Sequence, residues 1–167
     1  MSQSFIESGI DKDSLRHLTR FDLFKQTSHV PGAVVEVGVG EGNGLGFWLK
    51  LRHYLNDSRQ IYAFDSFEGF PQPSQYDFAL LANPKGAYKK YTVNYVKSYL
   101  ADLKISQADI DSVTFIKGWF PNSFSDYSKV PISLLNLDVD VYQSTKDSLE
   151  FFWPFITPGG GRNSRRI

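Results

Sequence analysis

A glycine-rich turn after a short apolar run constrains this chain more than any other feature. The run Ala33–Val37 is β-branched and bounded by turn residues, which is typical of a buried strand in a parallel sheet. Glycine then occupies every second position from 38 to 46. Glycine adopts positive φ and has no Cβ to hold a ligand away, and a helix that starts there offers free N–H groups. The pattern predicts a nucleotide-type ligand on residues 36–42; the alternative is a flexible turn that binds nothing.

Strands and helices alternate along the rest of the sequence. Short apolar runs predict strands at residues 33–37, 61–65, 113–118 and 131–138, and amphipathic patterns predict helices at 15–28, 47–55, 91–103 and 142–156. This order predicts the α/β class, with a Rossmann-like parallel sheet flanked by helices. We expect a helical segment over 1–29 and a cofactor-binding domain over 30–167. Ligands of such sheets bind at the carboxyl ends of the strands.

Composition excludes several classes of function. The 18 basic and 18 acidic residues balance, so the basic excess of a nucleic-acid groove is missing. The chain has no cysteine, and its 3 histidines lack metal-ligand spacing. The first residues do not form a signal peptide, and no apolar run reaches membrane-spanning length. We therefore expect a cytoplasmic protein that binds neither nucleic acid nor membrane.

Acidic residues at the ends of the first two strands bear on which ligand the turn suits. Glu36 lies within the first strand and Glu41 within the loop, and two carboxylates disfavour an anionic pyrophosphate. They suit a ligand with a cationic sulfonium and an ammonium group. Asp65 ends the second strand, where a carboxylate can accept both ribose hydroxyls, although it could instead cap a helix. The combination favours S-adenosylmethionine, with a NAD-dependent oxidoreductase as the alternative.

Two further acids, Asp138 and Asp140, follow the fourth strand. Strand alternation predicts that both side chains project to the same side. Carboxylate oxygens of this kind suit a divalent cation such as Mg²⁺, and one of them could also act as a general base. The alternative is that Asp140 caps the following helix and Asp138 is solvated.

Four segments carry a family resemblance when they are taken together. They are VPGAVVEVGV at 30–39, FDSFEGFP at 64–71, FIKGWF at 115–120 and LDVDVYQST at 137–145, with Pro-Gly-Gly at 158–160. Together they resemble the macrocin O-methyltransferase family, class I S-adenosylmethionine-dependent methyltransferases that act on sugar hydroxyls of antibiotics and related molecules. The resemblance runs from about residue 15 to residue 160 and implies O-methylation of a sugar-like or other small-molecule acceptor.

The resemblance also implies roles for individual residues. Asp138 matches the family's first magnesium ligand and is the predicted catalytic residue, with Asp140 as a second ligand. The metal would lower the pKa of an acceptor hydroxyl. Residues 71–90 would form part of a lid, and a homodimer is favoured. The predicted cofactor-binding residues are Glu36, Gly38, Gly40, Gly42, Asp65, Ser66, Gly118 and Trp119.

One departure from the family pattern follows residue 160. There the family continues with an apolar strand and an acidic pair, whereas this chain reads GRNSRRI. We therefore expect the domain to be truncated after Gly160, without the fifth strand and without the second half of the metal site. A non-catalytic cofactor-binding remnant is accordingly an alternative to an active methyltransferase.

Overall fold

Five parallel strands form one sheet in the computed structural model, which describes residues 11–72, 77 and 85–164. The strands lie in the order β3-β2-β1-β4-β5, and every neighbouring pair is parallel. The predicted α/β class is confirmed. The strand bounds are β1 Ala33–Val37, β2 Ile61–Asp65, β3 Thr114–Lys117, β4 Ile132–Leu137 and β5 Ile156–Ser164.

The helices follow the predicted order with shifted ends. The helix bounds are α1 Lys12–Gln26, α2 Asn43–Tyr54, α3 Val93–Asp102, α4 Gln107–Asp111 and α5 Tyr142–Phe152, with 3₁₀ turns at Asn122–Asp126 and Trp153–Phe155. Helix α1 begins before the predicted residue 15, because Asp11 caps it by accepting a hydrogen bond from the Ser14 N–H at 2.9 Å. Helix α4 is absent from the sequence prediction. Among the described residues, no helix is both long and apolar enough to cross a bilayer.

The sheet separates two apolar cores, as the strand alternation predicts. Val34 faces one core, in which Phe24 of α1 and Trp48 of α2 are fully buried. Val35 faces the other, which contains Phe152 of α5. Side chains at even positions of β1 therefore point toward α1 and α2. Glu36 has this parity and thus enters the α1–α2 side of the sheet.

The expectation that the fifth strand is missing is wrong. Strand β5 pairs with β4 from Ile132↔Ile156 to Leu137↔Ser164, beyond the predicted truncation point at Gly160. It lies at the sheet edge, where pairing uses main-chain groups that any sequence provides and burial on both faces is not needed. Its glycines also permit close packing: a Cβ on Gly161 would lie 3.0 Å from Thr27, the residue that follows α1. An apolar pattern is therefore not required at this position.

Candidate ligand site

A cavity of about 530 Å³ opens at the carboxyl ends of β1, β2 and β4. This is the size of a pocket for a small-molecule ligand, and its position is the one expected for a parallel α/β sheet. Nine of the ten predicted site residues line it: Glu36, Gly38, Gly40, Asp65, Ser66, Gly118, Trp119, Asp138 and Asp140. The structure thus brings together residues that are up to about a hundred positions apart in sequence.

The glycine turn forms one wall, and its glycines differ in what they do. Gly38 has φ +90°, and a Cβ there would collide with the main-chain carbonyl of Asp138, so glycine is required where the ends of β1 and β4 meet. Gly42 is the one predicted residue that does not line the cavity. It precedes α2 with φ +103°, and a Cβ there would meet Val96 of α3. Gly42 therefore shapes the turn and packs against α3.

Asp65 holds this turn in place. Its Oδ2 accepts hydrogen bonds from the N–H groups of Val39 at 2.9 Å and Gly40 at 3.0 Å, while Oδ1 accepts one from Phe67 N–H at 2.8 Å. The carboxylate that ends β2 is therefore tied to the loop that ends β1. A carboxylate has about four acceptor positions, so after these three hydrogen bonds Asp65 keeps about one for a ligand hydroxyl.

Ser66, Gly118 and Trp119 line the cavity after the ends of β2 and β3. The Ser66 hydroxyl donates to the Gly69 carbonyl at 2.8 Å, which folds the start of the loop after β2. The Gly118 N–H donates to the Asp65 carbonyl at 3.0 Å and extends the pairing of β2 with β3. Trp119 remains 38% exposed at the cavity wall, so its indole is accessible to a planar ligand.

Glu36 is the most unusual group in the cavity, because it is only 1% exposed. Its Oε1 accepts hydrogen bonds from the Trp48 indole N–H at 3.3 Å and the Asn136 amide at 3.1 Å. Its Oε2 has no hydrogen-bond partner among the described residues. Burial raises the pKa of Glu36 to about 8, with Arg20 lowering it and Asp138 adding to the rise. The site therefore contains a buried acceptor that lacks a cationic hydrogen-bond partner.

Arg20 is a functional candidate that the sequence analysis missed. It projects from α1, is 4% exposed, lines the cavity, and its Nη2 donates to Asp138 Oδ2 at 3.1 Å. The chain separation of 118 residues hides this pair from any local motif. A signal was present, since Arg20 shares a helix face with the buried Phe24 and Thr27 at spacings of four and seven residues.

The second acid after β4 is placed by an irregular backbone and not by strand alternation. Strand β4 ends at Leu137, and Asp140 has φ +57°. Both Asp138 and Asp140 nevertheless line the cavity. The cap of α5 comes from elsewhere, because the buried Asp77 accepts a hydrogen bond from the Tyr142 N–H at 2.8 Å.

The predicted lid is described only in part. Tyr88 and Tyr91 line the cavity, with their rings stacked at 5.8 Å. Residues 73–76 and 78–84, which include Tyr76 and Phe78, lie outside the described residues. The described part of the lid thus contributes aromatic surface to the cavity.

Comparison with known proteins decides the family. The Macrocin-O-methyltransferase (TylF) family model matches residues 6–161, which is most of the chain. This chain belongs to the TylF family. Two curated family relatives align with 78% of it: the 8-demethyl-8-(2,3-dimethoxy-alpha-L-rhamnosyl)-tetracenomycin-C 4'-O-methyltransferase of Streptomyces olivaceus, 30% identical over 141 residues, and the mycinamicin III 3''-O-methyltransferase of Micromonospora griseorubida, 31% identical over 136 residues.

The structural comparison agrees with the family match. The crystal structure of CalS11, a calicheamicin methyltransferase, is similar with a TM-score of 0.72 and 27% identity; the match covers 90% of this chain and 63% of that one. The TylF-family chain spans about half the length of the curated relatives it matches, 51% and 53% respectively.

Proposed function

We propose that this chain binds S-adenosylmethionine in the cavity and takes part in methyl transfer to a hydroxyl of a sugar-like or other small-molecule acceptor. The proposal rests mainly on one observation: Glu36 and Asp65, which belong to the adjacent strands β1 and β2, line the same cavity. The two carboxylates suit the two polar ends of such a cofactor. Family membership supports the same chemistry, since the two aligned curated relatives are O-methyltransferases by name.

The cavity residues fit the cofactor group by group. The unpartnered Oε2 of Glu36 suits the ammonium of the methionine part, and the glycine turn at Gly38 and Gly40 leaves room for the rest of that part. The remaining acceptor position of Asp65 suits a ribose hydroxyl. Beside Asp65, the accessible face of Trp119 suits the adenine ring. In this proposal the predicted cofactor-binding residues other than Gly42 keep that role, because they line the cavity.

The transfer itself depends mainly on alignment. The acceptor oxygen forms a bond to the methyl carbon while the carbon–sulfur bond breaks, and the bonding pair stays on sulfur to give S-adenosylhomocysteine. The hydroxyl proton needs an acceptor, and we assign it to the carboxylates after β4, with Asp138 as the catalytic residue and Asp140 beside it. The walls formed by the turn and the lid would hold the oxygen, carbon and sulfur in line.

Magnesium assistance does not follow from the described residues. They contain no group of three His, Cys, Asp or Glu side chains that could hold a metal ion, and Asp138 is hydrogen-bonded to a guanidinium. A cation beside Asp138 would meet the positive charge of Arg20. The described residues therefore do not fit a magnesium site, and we derive no step through the metal. The homodimer and the cytoplasmic location stay predictions.

Calorimetric titration with S-adenosylhomocysteine and with NAD tests the proposal. We expect S-adenosylhomocysteine to bind with the same affinity in excess EDTA and in excess Mg²⁺, and we expect no heat from NAD. Binding of NAD alone would overturn the proposal. Release of S-adenosylhomocysteine from S-adenosylmethionine, measured with deoxysugar glycosides as acceptors, then tests turnover. Binding without turnover across such acceptors would favour the alternative of a non-catalytic cofactor-binding remnant.

A further inference from the structure

The inner end of the cavity places a buried arginine close to a buried glutamate. Arg20 and Glu36 are 4% and 1% exposed, and both side chains line the same cavity. A Cβ built on Gly44 would touch Glu36 Oε1 and lie 3.3 Å from Arg20 Nη2. The first turn of α2 therefore meets both side chains at one point.

The Arg20 guanidinium has N–H donors that make no hydrogen bond within the described residues. Within the described part of the chain it makes one hydrogen bond, from Nη2 to Asp138, and its buried Nε has none. A guanidinium carries five N–H donors in a planar fork that matches a carboxylate. Burying a donor without a partner is unfavourable, so a ligand oxygen there would remove a cost that the free protein carries.

The start of α2 adds to the attraction for an anion. This helix, Asn43–Tyr54, has 12 residues, its N-cap Gly42 supplies no side-chain cap, and it has no acidic residue in its first turn. The first N–H groups of a helix and its dipole both favour a negative charge. Arg20 and the α2 N-terminus thus favour an anion at a place where Glu36 favours a cation.

We propose that Arg20 binds the carboxylate of the amino-acid end of the cofactor, while Glu36 binds its ammonium group. This assignment rests on the proposed function and deepens it. With this assignment, the inner end of the cavity binds the zwitterionic α-amino acid group that is attached to the adenosyl group. The other role open to Arg20 is purely structural: it would only compensate the charge of Asp138 across the fold.

Removal of the ligand carboxylate separates these roles without any mutation. The probe is S-adenosylmethionine from which only the carboxylate has been removed, compared with intact S-adenosylmethionine by calorimetry. We expect the wild-type chain to bind the decarboxylated form about 10- to 100-fold more weakly, the range of one charged hydrogen-bonded pair. Equal affinity for the two ligands would overturn the assignment.

Substitution of the arginine gives the matching measurement. We expect Arg20→Met to weaken binding of intact S-adenosylmethionine about 10- to 100-fold and to leave binding of the decarboxylated form within about 2-fold, with Arg20→Lys in between. An equal loss for both ligands would show a structural role and overturn the assignment. Wild-type chain that binds neither S-adenosylmethionine nor S-adenosylhomocysteine would overturn the proposed function itself.

Arg52→Met is the matched control. Arg52 is also a buried arginine, 9% exposed, and donates to Asp109 Oδ1 at 2.9 Å, but it does not line the cavity. Its loss should lower stability in the same way and leave the affinities for both ligands unchanged. A drop in ligand affinity for Arg52→Met equal to that for Arg20→Met would show that any loss of a buried arginine disturbs the site, and this would overturn the assignment.

Discussion

Asp65 Oδ2 accepts a hydrogen bond from the backbone N–H of Val39 at 2.9 Å, so the acid that ends β2 fixes the turn that ends β1. The same oxygen accepts from Gly40 at 3.0 Å. One carboxylate therefore serves the fold and, in the proposed function, the cofactor ribose. Its two roles can be separated because they respond to different substitutions.

Replacement of Asp65 tests this double role. We expect Asp65→Ala to lower the free energy of unfolding by about 1–3 kcal/mol, since backbone N–H groups lose their acceptor, and to abolish binding of S-adenosylhomocysteine. Asp65→Asn keeps one acceptor oxygen and should retain most of the stability with weakened binding. Urea unfolding and calorimetry measure the two effects. The exposed Asp126→Asn serves as control, and wild-type stability for Asp65→Ala would refute the role in the turn.

Glu36→Gln tests the ammonium contact. Because the pKa of Glu36 is about 8, the group is largely neutral in the free protein at pH 7, and glutamine should preserve the hydrogen bonds from Trp48 and Asn136. We expect stability at pH 7 to change by less than about 1 kcal/mol, whereas affinity for S-adenosylhomocysteine falls about 10-fold or more. Adenosine lacks the ammonium, so its binding should be unaffected.

The surface substitution Glu150→Gln, which removes a carboxylate beside Lys146, is the control for that experiment. It should leave both affinities unchanged. If Glu36→Gln binds S-adenosylhomocysteine as well as the wild type does, the ammonium contact is wrong.

The raised pKa of Glu36 also predicts a pH dependence. The group has a pKa near 4.5 when unfolded and about 8 when folded, so the folded state holds the extra proton between these values. Its contribution to stability is full below about pH 4.5 and is lost as the pH rises through about 8, on the order of a few kcal/mol. Urea unfolding of the ligand-free protein between pH 5 and 9 should show this decline, and Glu36→Gln should lack it.

Ligand binding by Glu36 should also depend on pH, and in the opposite direction to stability. Arg20 of α1 and Asp138 after β4 face it with opposite charges, and burial outweighs both. Since the ionised form binds an ammonium, affinity for S-adenosylhomocysteine should rise over the pH range in which free-protein stability falls. Affinity that falls with pH up to about 7 would contradict the assigned contact.

Two glycines of the turn form a matched pair for a stability test. We expect Gly38→Ala to cost more than about 2 kcal/mol, because φ is +90° and the new Cβ would collide with the Asp138 main chain. Gly40→Ala should cost about 1 kcal/mol, since φ is +54° and a Cβ there has nothing within 4 Å. Thermal unfolding ranks the two, and equal losses would contradict the close approach at Gly38.

Local sequence determined the elements that have strong periodicity. Strands β1 and β2 form at the predicted residues, because a short apolar run between turn residues is most readily buried as a strand. The glycine turn, Asp65 and the acids after β4 were also visible, since parallel strands bring their carboxyl ends to one edge. The α/β class follows from the alternation of strands and helices. The family resemblance, and not this rule, added Ser66, Gly118 and Trp119 to the predicted site.

Tertiary structure determined the fifth strand and the Arg20 contact, which local sequence patterns did not predict. Strand β5 forms from a sequence without apolar alternation because β4 supplies its hydrogen-bond partners and glycines let it pack closely on α1. Arg20 reaches Asp138 because the packing of α1 against the sheet buries that one helix position beside the strand ends. Such contacts depend on where elements that are distant in sequence lie relative to one another. That arrangement is determined by how the helices pack on the sheet. Sequence by itself predicted most of the residues that line the cavity, and the fold decided which charges meet there.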